Sequence, residues 1–146
     1  MKLTISGQAE GNGDVRVTLA VQGRTYPDAP VAEDANWLTV GVAIVLPGYQ
    51  ADFAGRLRAE DLADFLRDLE AAQARGHGQA ALSTVEDLVE LRAELTAAGL
   101  VRWCGLTTYP PGTGAVLSFE FRGLAADLPA LVSDLTAMCR KYPVIG

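Results

Sequence analysis

The chain is poor in the residues that carry out covalent and metal chemistry. It has one histidine and two cysteines in 146 residues. Nucleophilic catalysis with a histidine base needs an imidazole held beside a hydroxyl or thiol. The one imidazole, His77, sits in "ARGHGQ" between glycines and reads as a solvated loop residue after a helix. Cys104 and Cys139 lie 35 residues apart, and neither belongs to a CxxC motif. Both read as reduced, small, buried apolar side chains of a cytoplasmic protein. Spacing alone leaves a disulfide between them open. There is no HExxH, no cysteine pair at ligand spacing and no EF-hand loop, so no metal site is expected. "GLTTYPPGTGAV" and "GQAEGNGD" lack the lysine of a P-loop and the GxGxxG of a dinucleotide fold. They read as hairpin turns, and no cofactor is expected.

Positive charge is scarce too. Two lysines and ten arginines stand against 18 acidic residues, a net charge of −6. Neutralising phosphates needs clustered lysine and arginine, which excludes a nucleic-acid partner from the expectation. No apolar run approaches the roughly 18 residues of a membrane span. The opening "MKLTISGQAEG" has no secretory h-region, so a cytoplasmic location is expected.

What is present describes a globular fold. Hydrophobic residues make up 49% and charged residues 21%, and the length suits one domain over 1–146. "AEDLADFLRDL" (59–69) matches "AADLPALVSDL" (125–135) at an offset of 66, with five identities in eleven. The same offset pairs Phe53 with Phe119, Arg56 with Arg122 and Trp37 with Trp103. The halves 1–78 and 79–146 therefore read as one supersecondary unit used twice. The two tryptophans read as matching core anchors, with partly exposed binding anchors as the alternative.

Spacing supplies the elements. Leu62, Phe65, Leu66 and Leu69 form a helical stripe, and Leu128, Leu131, Val132, Leu135, Met138, Cys139 and Tyr142 form a second. Helices are predicted over 59–74 and 125–142. Val15 to Val21, Val89 to Leu95 and Leu117 to Phe121 alternate with polar residues, the mark of strands with one wet face. The stretch 87–96 suits a helix as well as a strand. Strands are predicted near 2–8, 14–23, 36–46, 49–57, 79–85, 87–96, 100–108 and 114–122. The fold is thus expected to be α+β: a tandem ββββα duplication forming an antiparallel sheet of about eight strands. Two helices related by an approximate twofold would cover one face.

Two acidic groups stand out. Asp61, Asp64 and Asp68 share a stripe of the first helix and read as a solvated face or an acidic docking ridge. Asp28, Glu33 and Asp34 lie in "YPDAPVAEDANWLTV" (26–40), where no lysine or arginine occurs between Thr25 and Val40. These six acids are the candidate partner-binding residues.

"YPDA...EDANWL" also resembles the pattern of small bacterial proteins of the WapI immunity type, as do the tail "KYPVIG" and "LSFEF" leading into "DLPALVSDL". On the matching positions the family motif comprises Tyr26, Pro27, Asp28, Asp34, Asn36 and Trp37. The resemblance implies a non-catalytic cytoplasmic protein that binds a toxin, neutralising it by occlusion. The acidic loop would be either a conformational lock beneath Trp37, with Asp34 and Asn36 bonding their own backbone, or the rim of a docking surface. The alternative is an interaction module, or a homodimer, with no toxin partner.

Overall fold

The computed structural model describes residues 1–146. Eight strands form: β1 (Lys2–Gln8), β2 (Asp14–Arg24), β3 (Trp37–Leu46), β4 (Tyr49–Arg58), β5 (Gly78–Ser83), β6 (Glu90–Leu95), β7 (Leu100–Tyr109) and β8 (Ala115–Leu124). Three helices interrupt them: a single turn α1 (Ala32–Ala35), α2 (Ala59–Arg75) and α3 (Leu128–Lys141). The ambiguous stretch 87–96 is a strand only from Glu90. Before it, the Thr84 hydroxyl donates to the Val89 carbonyl (2.9 Å) and accepts from its N–H (3.0 Å), which ends β5 and turns the chain. Residues 125–127 form a 3-10 turn, so the second helix starts at Leu128, where its stripe begins, and not at 125 as predicted. No helix is long and apolar enough to cross a membrane.

The strands make one antiparallel sheet in the order β4-β3-β2-β1-β8-β7-β6-β5. Two four-stranded meanders meet where β1 pairs with β8, at Gln8 and Arg122. Gly7 lies there because any side chain would run into the Arg122 carbonyl. Sheets coil through the right-handed twist of their strands, and this one coils far. Phe53 on β4 stacks on Tyr109 of β7 at 4.8 Å, although those strands are first and sixth in the order.

Both long helices lie against the same face. Leu62, Phe65, Leu69 and Ala72 of α2 and Leu128, Leu131, Leu135 and Met138 of α3 join the inward residues of the strands in one cluster of 31 buried side chains. Phe53, Leu66 and Val132 are half-buried at its margin. The α2 helix ends at Gly76, in a left-handed conformation (φ 78°), whose N–H donates to the Ala72 carbonyl.

An offset of 66 carries β4 onto β8, and α2 onto the 3-10 turn plus α3. A shift of four places in the strand order does the same and keeps strand direction. The match stops at the hairpins. Two residues join β3 to β4, and five join β7 to β8. Arg58 therefore faces Trp37, whereas its counterpart Leu124 faces Leu100. Trp37 corresponds to Leu100, not to Trp103, and the tryptophans do not occupy matching places. Trp103 is core, 3% exposed, stacked on Phe121 at 5.9 Å and edge-on to Phe65 at 6.4 Å. Trp37 points to the outer face and is half-buried.

The cysteines also depart from expectation. Both are free thiols, but Cys104 is exposed and Cys139 only half-buried. Cys104 lies on the outer side of β7 because its neighbours Trp103 and Gly105 take the inward positions.

Candidate docking surface

The loop between β2 and β3 is a dozen residues long and has only the α1 turn for regular structure. It is held from outside. Asn36, at its end, is 3% exposed and uses every polar group it has. Its N–H donates to Ala32 O (3.1 Å), and its carbonyl accepts from the Ala59 N–H at the start of α2 (2.9 Å). Its side chain donates to Ile145 O (2.9 Å) and accepts from the Ile145 N–H (2.8 Å). Arg24 adds bonds to Ala35 O (2.8 Å) and Pro143 O (2.6 Å). The Asn36 side chain thus bonds the backbone of a segment 109 positions away, not that of its own turn as expected; only its main-chain N–H bonds within the turn.

The same fold brings arginines to a loop that has none. Arg58 and Arg56 face Trp37 and Thr39 across β3 and β4, all four on the outer side of the sheet. Their guanidinium carbons lie 5.0 Å and 5.7 Å from the Trp37 ring centroid, within cation–π range. Arg56 also donates to the Tyr26 hydroxyl at 2.5 Å. Tyr26, Pro27, Asp28, Asp34, Trp37 and Arg56 line one open recess of about 750 Å³. Neither Asp28 nor Asp34 forms an ion pair.

The helix acids are differently placed. Asp61 is half-buried and accepts the Arg58 N–H at 2.9 Å, capping the first turn of α2. Burial pushes its carboxyl above the ordinary value, and that hydrogen bond opposes the shift. Asp64 and Asp68 lie 3.2 Å and 3.8 Å from Arg67. Arg58 ties the loop to the start of α2: its side chain pairs with Glu60 at 2.6 Å and donates to the Glu33 main-chain carbonyl at 3.3 Å. The bond to Glu60 raises the Arg58 guanidinium above its ordinary range. A larger trough, about 990 Å³, crosses the outer side of β5 to β8. Its floor alternates Arg92, Glu94, Arg102, Glu120 and Arg122, two of which are paired with glutamates, and it contains none of the motif residues.

Sequence reasoning missed Arg24, Arg56 and Arg58. The register that sets the last two against Trp37 is not local, and nothing in the sequence of the loop signals it. It also missed that the two ends of the motif, the "EDANWL" loop and the "PVIG" tail, meet in space.

No curated protein matches the chain. A family model does match, over residues 7–143, which is nearly the whole length. The loop, the strand it leads into and the start of the tail all fall inside that span, and the chain belongs to the immunity protein WapI-like family.

Proposed function

We propose that this protein binds a cognate toxin through the Trp37 recess and neutralises it by occlusion. Membership of an immunity-protein family supports an immunity role in general and a non-enzymatic one. One observation carries the finer reading. Tyr26, Trp37 and Arg56, the residue types that dominate interface energetics, share a recess with the unpaired carboxylates of Asp28 and Asp34. Glu33 is exposed beside them. Carboxylates that are free of ion pairs, even with Arg56 in the recess, suit a basic partner, and the net charge of −6 would steer such a partner in. The free thiols suit a reducing, cytoplasmic site of action.

The test uses an inactivated toxin domain encoded beside the gene. Its association rate is measured against salt for the native protein and for the triple variant Asp28→Lys, Glu33→Lys, Asp34→Lys. The native rate should fall as salt rises, because screening shortens the reach of the rim. The triple variant should associate roughly tenfold more slowly at low salt, within the range that steering supplies. It should fold normally, since exposed substitutions cost about 0.5 kcal/mol or less each. Absence of binding at micromolar concentration sinks the proposal. So does binding that ignores both salt and the triple variant.

A further inference from the structure

We infer that the segment Pro143–Gly146 is the apolar half of the docking surface, strapped into place by Asn36 and Arg24. The inference rests on the docking reading above.

The segment has no secondary structure of its own. A segment without main-chain pairing of its own opens easily unless other groups hold it. Here two side chains do so. Asn36 presents its amide to Ile145 as a neighbouring strand would, one donor and one acceptor, at 2.9 Å and 2.8 Å. Arg24 holds Pro143 O and Ala35 O together with one guanidinium. Beyond Ile145, Gly146 packs so closely on Ala32 that a Cβ on the glycine would lie 2.8 Å from the alanine methyl. A buried asparagine and a bridging arginine are a large polar investment for four residues, unless the position of those residues matters.

What they position is apolar and open to solvent. Val144 is 43% exposed and Ile145 42%. On the loop they are strapped to, Val31, next to Ala32, is 52% exposed and Tyr26 43%. These four are among twelve large apolar side chains left open to solvent, and both segments that bear them converge on Asn36. Interfaces combine an apolar centre with a polar rim. Here Val31, Val144 and Ile145 supply the apolar part, while Asp28, Glu33 and Asp34 supply the charge. The partner this fits is a protein surface with an apolar patch bordered by lysine or arginine. The strap also orders the loop before binding, which lowers the entropy lost on association.

The experiment uses the full-length chain and two readouts. Ile145→Pro removes the N–H that Asn36 accepts, and Val144→Ala serves as the control that leaves the strap bonds intact. Asn36→Asp replaces the donor to Ile145 O with a carboxylate oxygen. Amide hydrogen exchange is followed without any partner. Exchange over residues 28–37 should speed up at least tenfold in Ile145→Pro and Asn36→Asp, with β5 to β8 unchanged. Unchanged exchange over 28–37 in Ile145→Pro overturns the strap, and so does a rise spread evenly over the chain. Because residue 145 lies outside every element, this variant stays informative even if Asn36→Asp fails to fold.

The second readout is affinity for the inactivated toxin domain. Ile145→Pro and a double variant Val144→Ser, Ile145→Ser should each weaken binding tenfold or more. Faster loop exchange with unaltered binding overturns the assignment of the tail to the interface. Loss of binding by the acidic triple variant but not by the double serine variant has the same force, and leaves the docking reading itself standing.

Discussion

Gly105 lies directly beneath the ring of Phe119, its cross-strand partner on β8, with no room for a β-carbon between them. The aromatic row Phe119, Phe121 and Trp103 depends on that absence, since Phe119 and Phe121 stack at 6.1 Å and Phe121 and Trp103 at 5.9 Å. Gly105→Ala should therefore cost about 1–3 kcal/mol by overpacking. Gly41, on the outer face, meets nothing closer than 3.6 Å. Gly41→Ala should be neutral or stabilising, by up to about 1 kcal/mol, because alanine loses less backbone freedom on folding. Urea unfolding of both variants decides it. Equal losses would show that the aromatic row can shift to make room.

The helix stripes contain positions of unequal weight. Leu135 is fully buried between α3 and the sheet, whereas Leu66 sits half-buried at the margin of the core. Leu135→Ala should cost about 2–5 kcal/mol, as deep large-to-small changes do. Leu66→Ala should cost clearly less, because part of its side chain already meets water and solvent fills the space left. A Leu66→Ala loss as large as that of Leu135→Ala, measured by denaturant titration, would mean that the margin of the core is closed in solution.

Asp61 predicts a pH dependence whose sign can be worked out. Burial raises its carboxyl above the ordinary value of 3.8. The folded chain then holds this proton more tightly than the unfolded chain does. The favourable contribution is complete below 3.8 and is lost as pH rises through the raised folded value. Asp61→Asn keeps an acceptor for the Arg58 N–H and cannot ionise. It should flatten this part of the stability profile and be no less stable than the native protein at neutral pH. Asp61→Ala should lose about 0.5–2 kcal/mol, the range for a lost helix cap. A native-like slope in Asp61→Asn would assign the dependence to another group.

Much of this architecture is legible in the chain because its cues are local. Alternation at Val15–Val21 and at Leu117–Phe121 marks strands wherever their partners lie. The stripe from Leu62 to Leu69 and the glycine at 76 bound α2. What is not legible depends on partners far away in sequence. That β1 lies beside β8 follows from a close approach at Gly7, which no periodicity signals. Trp37 and Trp103 look equivalent at one offset, but hairpins of two and five residues set the strands out of step. The acidic loop looks bare because its arginines come from β2 and β4. Asn36 looks like a turn residue, yet its side chain is spent on Ile145.

The two thiols should react at different rates. Cys104 is exposed on β7. Cys139 is half-buried on α3, and burial together with Glu70 raises its thiol above the ordinary value, which lowers its thiolate fraction. An aromatic disulfide reagent at neutral pH should titrate one thiol quickly and the other slowly. Cys104→Ser should remove the fast phase alone. If the fast phase survives that change, α3 opens far more readily than its burial implies.

The tryptophans offer the most direct check on the proposed docking site. Trp37 is half-buried on the outer face beside Arg56 and Arg58, whereas Trp103 is enclosed at 3% exposure. Acrylamide should quench the native emission in two components, one accessible and one protected. Trp37→Phe should leave only the protected component, with little loss of stability, since the ring lies outside the core cluster. Trp103→Phe should do the reverse and destabilise the chain, because it empties space between Phe65 and Phe121. The accessible component then becomes a probe of the interface. Saturating the native protein with the inactivated toxin domain should protect it, because desolvated aromatic anchors lie at the centre of such interfaces. In a Trp37→Ala variant the affinity should fall roughly thirtyfold or more, the equivalent of about 2 kcal/mol. If saturation leaves Trp37 as quenchable as before, and Trp37→Ala binds like the native protein, the toxin docks elsewhere and the recess is not the interface.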